Sequence, residues 1–358
     1  MKRLLAMFLL PLVLGPLSGQ TLIVEGSSTR MEYDLNALMQ IRPVRLDSLS
    51  RVSLSFHTVT GIRQIRLTEI DSLVPDGAGD VAVYRAGTES RFRIADIDRI
   101  TISPVTLPDR AEDARTGSEF MQDVLGTAFA EREPLILQEF LNGNIPDIAR
   151  EFVTCVSDFQ DANGVTRRVE YDVMSDYLAI GTNEDYCRIP MGPKTAQAIA
   201  DTYGCILTTR KLCDDIWRHA VVHLSPIPYA PVGDNNSQVY KFIEHNTDIN
   251  AARDAEGGQI RDLIAGIKKD VVICNAIRTK PGYVAIYGWH YTSGSPIQPL
   301  YTGHVDWYVD YSHGIRLVNA AIRVDGVPLQ AADILKDPIL YKLLSDEDGA
   351  MSQPRYLY

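Results

Sequence analysis

Residues 304–318 read HVDWYVDYSHGIRLV and hold two histidines, two aspartates and an arginine among three large aromatic side chains. An imidazole titrates near neutrality and so suits proton transfer, and a nearby carboxylate can fix its orientation. Residues two apart on a strand share a face. His304 and Asp306 then form one candidate pair, with Tyr308, Asp310 and Ser312 continuing that polar face. His313 falls on the apolar face, and Gly314 makes a re-aiming bulge plausible there. His290, at the end of YVAIYGWHY, is expected to arrive from a second strand and meet His304 and His313 in one hollow. In this reading His304 or His313 is the general base and Asp306 or Asp310 its orienting partner. Arg316 is an anion or oxyanion contact, and Trp289, Tyr308 and Ser312 line the substrate. The intervening SGSPIQPLYTG (293–303) is read as a rim loop.

Other chemistries have weaker footing. Three histidines with an aspartate would satisfy a divalent metal, but there is no HExxH. RHAVVH, with His219 and His223, has no glutamate after its first histidine. No cofactor is indicated, and a divalent metal at His290, His304 and His313 stays open. Cys205, shortly before a predicted helix capped by Thr208, is a candidate thiolate for a Cys–His pair, although no cysteine-peptidase signature surrounds it. No GxSxG, GxGxxG or Walker pattern occurs. Asp214-Asp215 are read as surface charges on a helix, and IKKD (267–270) as a solvated helix end.

These groups need a scaffold, and composition bounds it. The chain has 358 residues, 45% of them hydrophobic, with net charge −11. That allows about two domains with real cores and argues against nucleic acid as partner, since phosphate binding needs a basic face. MKRLLAMFLLPLVLGPLSG (1–19) has the charged start, short apolar run and small residues of a signal peptide. It is too short and too proline-broken to span a membrane, and no other such segment appears. The expected location is extracellular, periplasmic or at the cell surface. Five cysteines leave at least one thiol without an internal disulfide partner.

Residues 20–104 contain three similar stretches, VRLDSLSRVSLS, IRLTEIDSLVP and FRIADIDRITIS. Each alternates as strand, short turn, strand, and such short units must stack to bury a face. A small all-β repeat module is expected, then a linker at 105–116, where prolines and charges crowd together. From 117 to 358 helical and strand patterns interleave without a βαβ period, so the main domain is expected to be α+β. Helices are predicted at 118–132, 134–144, 193–204, 208–220 and 251–270. Strands are predicted within 167–181, 270–275, 283–289 and 304–325.

The repeats resemble the loose strand–D-x-I-D-x-I–strand units of exported bacterial surface proteins. DYLAIGTNEDYCRIPM (176–191), TAQAIADTYGC…TTRKLCDDIW (195–217) and AIYGWHY…PIQPLYTGHVDWYVDYSHGIRLV (285–318) resemble a family of uncharacterised exported bacterial proteins. That resemblance implies export and carries no catalytic residue over. The chemistry therefore points to a secreted hydrolase of an extracellular polymer, whether peptide, cell wall or glycan. A non-catalytic glycan-binding or adhesion protein is the alternative, in which Trp289 and Trp307 would matter more than the histidines. A third class is a purely structural surface protein, with no pocket there.

Overall fold

The computed structural model describes strands within residues 13–103, and residues 107–358 apart from 109 and 259–261. The chain divides into two compact units, Met1–Thr106 and Leu107–Tyr358.

In the first unit, Val13–Gly15, Thr21–Glu25, Arg30–Asp34, Ser53–Thr58, Gly61–Arg66 and Ile97–Ser103 are strands whose pairings are antiparallel. Ser72–Pro75, Asp80–Arg85 and Thr88–Arg93 form a separate antiparallel meander. Most of the expected leader (1–12 and 16–20) and the turns 67–71 and 94–96 of the repeat-like stretches lie outside the described residues.

The second unit is mixed α+β. One antiparallel sheet runs Cys205–Leu207, Leu317–Asn319, Thr166–Met174, Phe152–Gln160. Ala321–Val324 also pairs with Thr166–Met174 and continues into the hairpin with Val327–Gln330. A second sheet has the order Pro296–Val305, Tyr283–His290, Lys269–Val271, His313–Gly314. Its last pair is parallel. The helix Pro193–Thr202 packs on Cys205–Leu207, and Arg210–His219 packs on Tyr283–His290. Among the described residues no helix is long and apolar enough to cross a membrane.

Several expected boundaries move, each for a local reason. Segment 107–116 is anchored to the second unit rather than linking freely. Arg110 Nε donates to Asn144 Oδ1 at 2.9 Å, Arg150 donates to the Pro108 carbonyl at 2.7 Å, and Leu107 is buried. The first helix is Gly117–Asp123, and the chain turns at Gly126, φ +79°, before Phe129–Leu141. Thr209, not Thr208, caps Arg210–His219 and accepts from Leu212 N. The helix Val239–Ala255 replaces the one expected at 251–270 and ends before Gly257, φ +70°. Hydropathy hid it, because its buried positions Val239, Phe242, His245, Asn246, Ile249 and Arg253 keep helical spacing but half of them are polar. The expected rim loop is largely the strand Pro296–Val305, whose two prolines are tolerated on an outermost strand.

Candidate functional site

The second sheet gathers most of the reactive groups. Lys269 lies opposite Gly288 on one neighbouring strand and His313 on the other. His304 stands near the end of the outer strand and faces Val284 in the register. The strand stops at Val305, so alternation cannot be carried on to Ser312; the chain turns at Asp306 and Trp307 instead. That turn brings Tyr308 back over His304, with the rings stacked at 4.4 Å between centroids. Tyr308 meets His313 edge-on at 6.1 Å, and Tyr301 meets His304 edge-on at 4.9 Å.

Asp310 is the charge centre of this cluster. Its Oδ1 accepts from Ser312 N at 2.8 Å and lies 3.9 Å from His313 Nε2, and its Oδ2 lies 3.9 Å from Lys269 Nζ. Burial alone would raise Asp310, but His313, Lys269 and the Ser312 hydrogen bonds outweigh it and hold the carboxyl below its usual range. Burial pushes the imidazole of His313 down, so the ring is neutral, and neither ring nitrogen has a hydrogen-bond partner. His304 is only partly buried, and burial with Lys269 nearby lowers its pKa. The cluster therefore offers an accessible neutral imidazole, a cation and a carboxylate.

Trp289 adjoins the cluster through Lys269. It holds φ +55°, a left-handed conformation that a bulky side chain adopts at a cost of about 1–3 kcal/mol. The residue is 3% exposed with Nε1 unpartnered, and Lys269 Nζ sits 5.3 Å from the ring centroid. His245 meets the Trp289 ring edge-on at 6.0 Å and contacts Lys268. Lys268 Nζ is 3.0 Å from His245 Nδ1 and also donates to the Tyr311 carbonyl. Burial brings Lys268 down to about 7 and His245 further down still. Backbone strain, orphaned polar atoms and displaced titrations are each uncommon, and they coincide here. That coincidence makes the cluster the candidate site.

The remaining predicted residues go elsewhere. His290 packs with Trp217 and Tyr287 and bonds Asp214, with Nε2 2.8 Å from Oδ1; the Tyr287 hydroxyl donates to the same oxygen at 2.7 Å. His290 borders a small cavity of about 10 Å³, lined also by Asp270 and Arg316, with room for about one water and not for a substrate. The three imidazoles therefore do not share one hollow. Asp306 pairs with Lys194 at 2.8 Å instead of orienting His304. Ser312 is buried and serves Asp310. Arg316 is sealed at 1% exposure and donates to the carbonyls of Met174, Ser175 and Ile264, out of reach of any oxyanion. Cys205 lies in a strand ahead of the helix, and burial drives its thiol well above the usual range. All five cysteines are buried free thiols.

Sequence reasoning missed Lys268, Lys269, Asp214, Asp270 and His245. IKKD is no helix end: it leads into a buried strand, where burial raises Asp270 to about 6. Asp215, read as a surface charge, is buried and takes hydrogen bonds from Ser157, Tyr171 and Arg218. Ser157 lies 2.9 Å from His219 Nε2, but the aspartate bonds the serine rather than the far ring nitrogen, so this trio does not have the order of a catalytic triad. Among the described residues no group of three or more His, Cys, Asp or Glu side chains is placed to hold a metal ion. No family model, no curated protein and no solved structure matches the chain.

Proposed function

We propose that the chain is an exported hydrolase of an extracellular polymer, with its catalytic centre at Lys269, His304, Tyr308 and Asp310. The observation that carries this reading is the neutral, solvent-reachable imidazole of His304 beside the Lys269–Asp310 pair. In the reaction a water gives its proton to His304 as its oxygen attacks a carbonyl carbon. The carbonyl oxygen takes up negative charge, which the Lys269 ammonium balances. The C–O or C–N bond then breaks, and His304 passes the proton to the leaving group. Asp310 holds Lys269 in place, and His313 fills the buried side of the cluster. The lone carboxylate fits acyl chemistry better than glycoside cleavage, which uses two.

Secretion or surface display, the stacked repeat reading of the first unit and kinship with exported bacterial proteins belong to the same proposal, resting on the leader-like start and the repeated stretches. A non-catalytic glycan-binding role is the second reading. Trp307 at 61% and Tyr301 at 44% exposure favour it, because both are placed near His304 to stack on sugar rings.

The test is release of soluble fragments, followed by mass spectrometry, from peptidoglycan, casein, chitin and acetylated xylan. Product that disappears with His304→Ala and persists with His290→Ala supports the hydrolase. Binding without product, abolished by Trp307→Ala and untouched by His304→Ala, sinks it in favour of the second reading.

A further inference from the structure

A groove of about 380 Å³ in the second unit shares no lining residue with the His304 cluster. Its walls are the helix Gly117–Asp123, the segment 184–187 and the helix Val239–Ala255. The volume falls in the range of small-molecule sites, about 300–1,000 Å³.

The groove is built before any ligand arrives. Gly117 N donates to the Asp185 carbonyl at 2.8 Å, and Ser118 Oγ donates to the Asp185 carboxylate at 2.9 Å. A Cβ on Gly117 would come within 2.6 Å of the Tyr186 backbone, so the helix and the turn are locked together. On the other side Arg188 Nη1 donates to Asn246 Oδ1 at 3.1 Å and to Asn250 Oδ1 at 2.8 Å, and Asn246 Nδ2 donates to the Tyr186 carbonyl at 2.9 Å. Rigid walls mean that little ordering cost falls on binding.

The lining chemistry restricts the occupant. Neither Lys nor Arg lines the groove, while Glu184 and Asp185 do, so an anion has no counter-charge. Asn250 Oδ1 already accepts from Arg188 and from the Tyr186 hydroxyl at 3.2 Å, which leaves Nδ2 to donate to a ligand carbonyl. Gln122, Thr247 and the Glu184 carboxylate can meet hydroxyls, and Met121 and Ile243 offer a small apolar patch for a methyl group. We propose that this groove binds a neutral acetamido sugar: hydroxyls for the amide and hydroxyl side chains, a carbonyl for Asn250 Nδ2 and a methyl for the Met121–Ile243 patch. The site stands independently of the hydrolytic centre.

The experiment titrates the full chain with N,N′-diacetylchitobiose, using calorimetry and saturation-transfer NMR, with cellobiose and glycylglycine as comparison ligands. The expected result is saturation transfer to the acetamido methyl and affinity at least about tenfold above either comparison ligand. Thr247 is exposed on the groove wall, so Thr247→Trp fills the space without touching the core. It should weaken binding by about tenfold or more with an unchanged melting temperature. Gln122→Trp, on the facing wall, serves if that variant fails to fold. Three results overturn the proposal: no transfer from the intact protein, equal binding of cellobiose or the dipeptide, or affinity that both tryptophan variants leave intact.

Discussion

Trp289 and His290 are chain neighbours that serve different side-chain clusters. The indole of Trp289 meets His245, Tyr311 and Lys269, whereas the imidazole of His290 meets Trp217, Tyr287 and Asp214. A single strand thus presents one group to the proposed catalytic cluster and another to a closed structural network.

The first prediction separates these roles. His304→Ala should lower turnover by about 100-fold or more, the usual scale for losing a general base. His290→Gln should leave turnover within about threefold, since it touches no proposed reacting atom. Initial rates and melting curves for both variants check this; a reversed order would move the catalytic centre to the Asp214–His290 pair.

Acid should abolish the proposed turnover by protonating His304. Burial and Lys269 lower its pKa, so the base form persists below the usual histidine midpoint. The acid limb of kcat/KM is therefore expected below about pH 6.5. An acid limb lying above that value would exclude His304 as the base.

Lys268 should give the folded state a pH dependence of its own. Burial brings its folded pKa down to about 7, against an ordinary lysine value of 10.5. Between these values the unfolded chain binds more protons, so stability rises with pH by at most about 1.4 kcal/mol per unit from this group. The penalty is complete below pH 7 and relieved toward 10.5. Chemical denaturation of Lys268→Met across that range should show a flatter profile than the parent chain, and parallel profiles would refute the assignment.

Asp176 and Arg188 form a sealed bidentate pair, both contacts being 2.7 Å. Asp176→Asn should destabilise the second unit by about 3–5 kcal/mol, because it strands a buried guanidinium. Urea unfolding measures this, and a loss under about 1 kcal/mol would mean that Arg188 finds other compensation.

All five thiols are buried. A chromogenic disulfide reagent should label fewer than about one per native molecule and every thiol after denaturation, since modification follows exposure and thiolate character. Rapid labelling of the native chain would show that at least one cysteine is open.

The sequence made the α+β character and the dense aromatic-histidine segment readable, because strong β runs and proline- or threonine-started helices carry local signals. Convergence was readable only in part. His304, Tyr308, Asp310 and His313 do meet, yet through a turn at Asp306–Trp307 and not along one extended face. Asp306 itself went to Lys194, a partner more than a hundred positions earlier that spacing cannot reveal. Lys268, Lys269 and Asp270 looked like solvent charges, because a buried lysine is uncommon and nothing local announces one. His245 was hidden because polar side chains fill half of the inward positions of its helix.

The outermost strand Pro296–Val305 has a further consequence. Two of its residues lack an amide hydrogen, and its pairing register shifts twice along Tyr283–His290. Such a border is a poor template for another chain to zip onto. Whatever docks beside His304 must be recognised through protruding rings and charges, and that flank of the molecule is guarded against growing into fibrils.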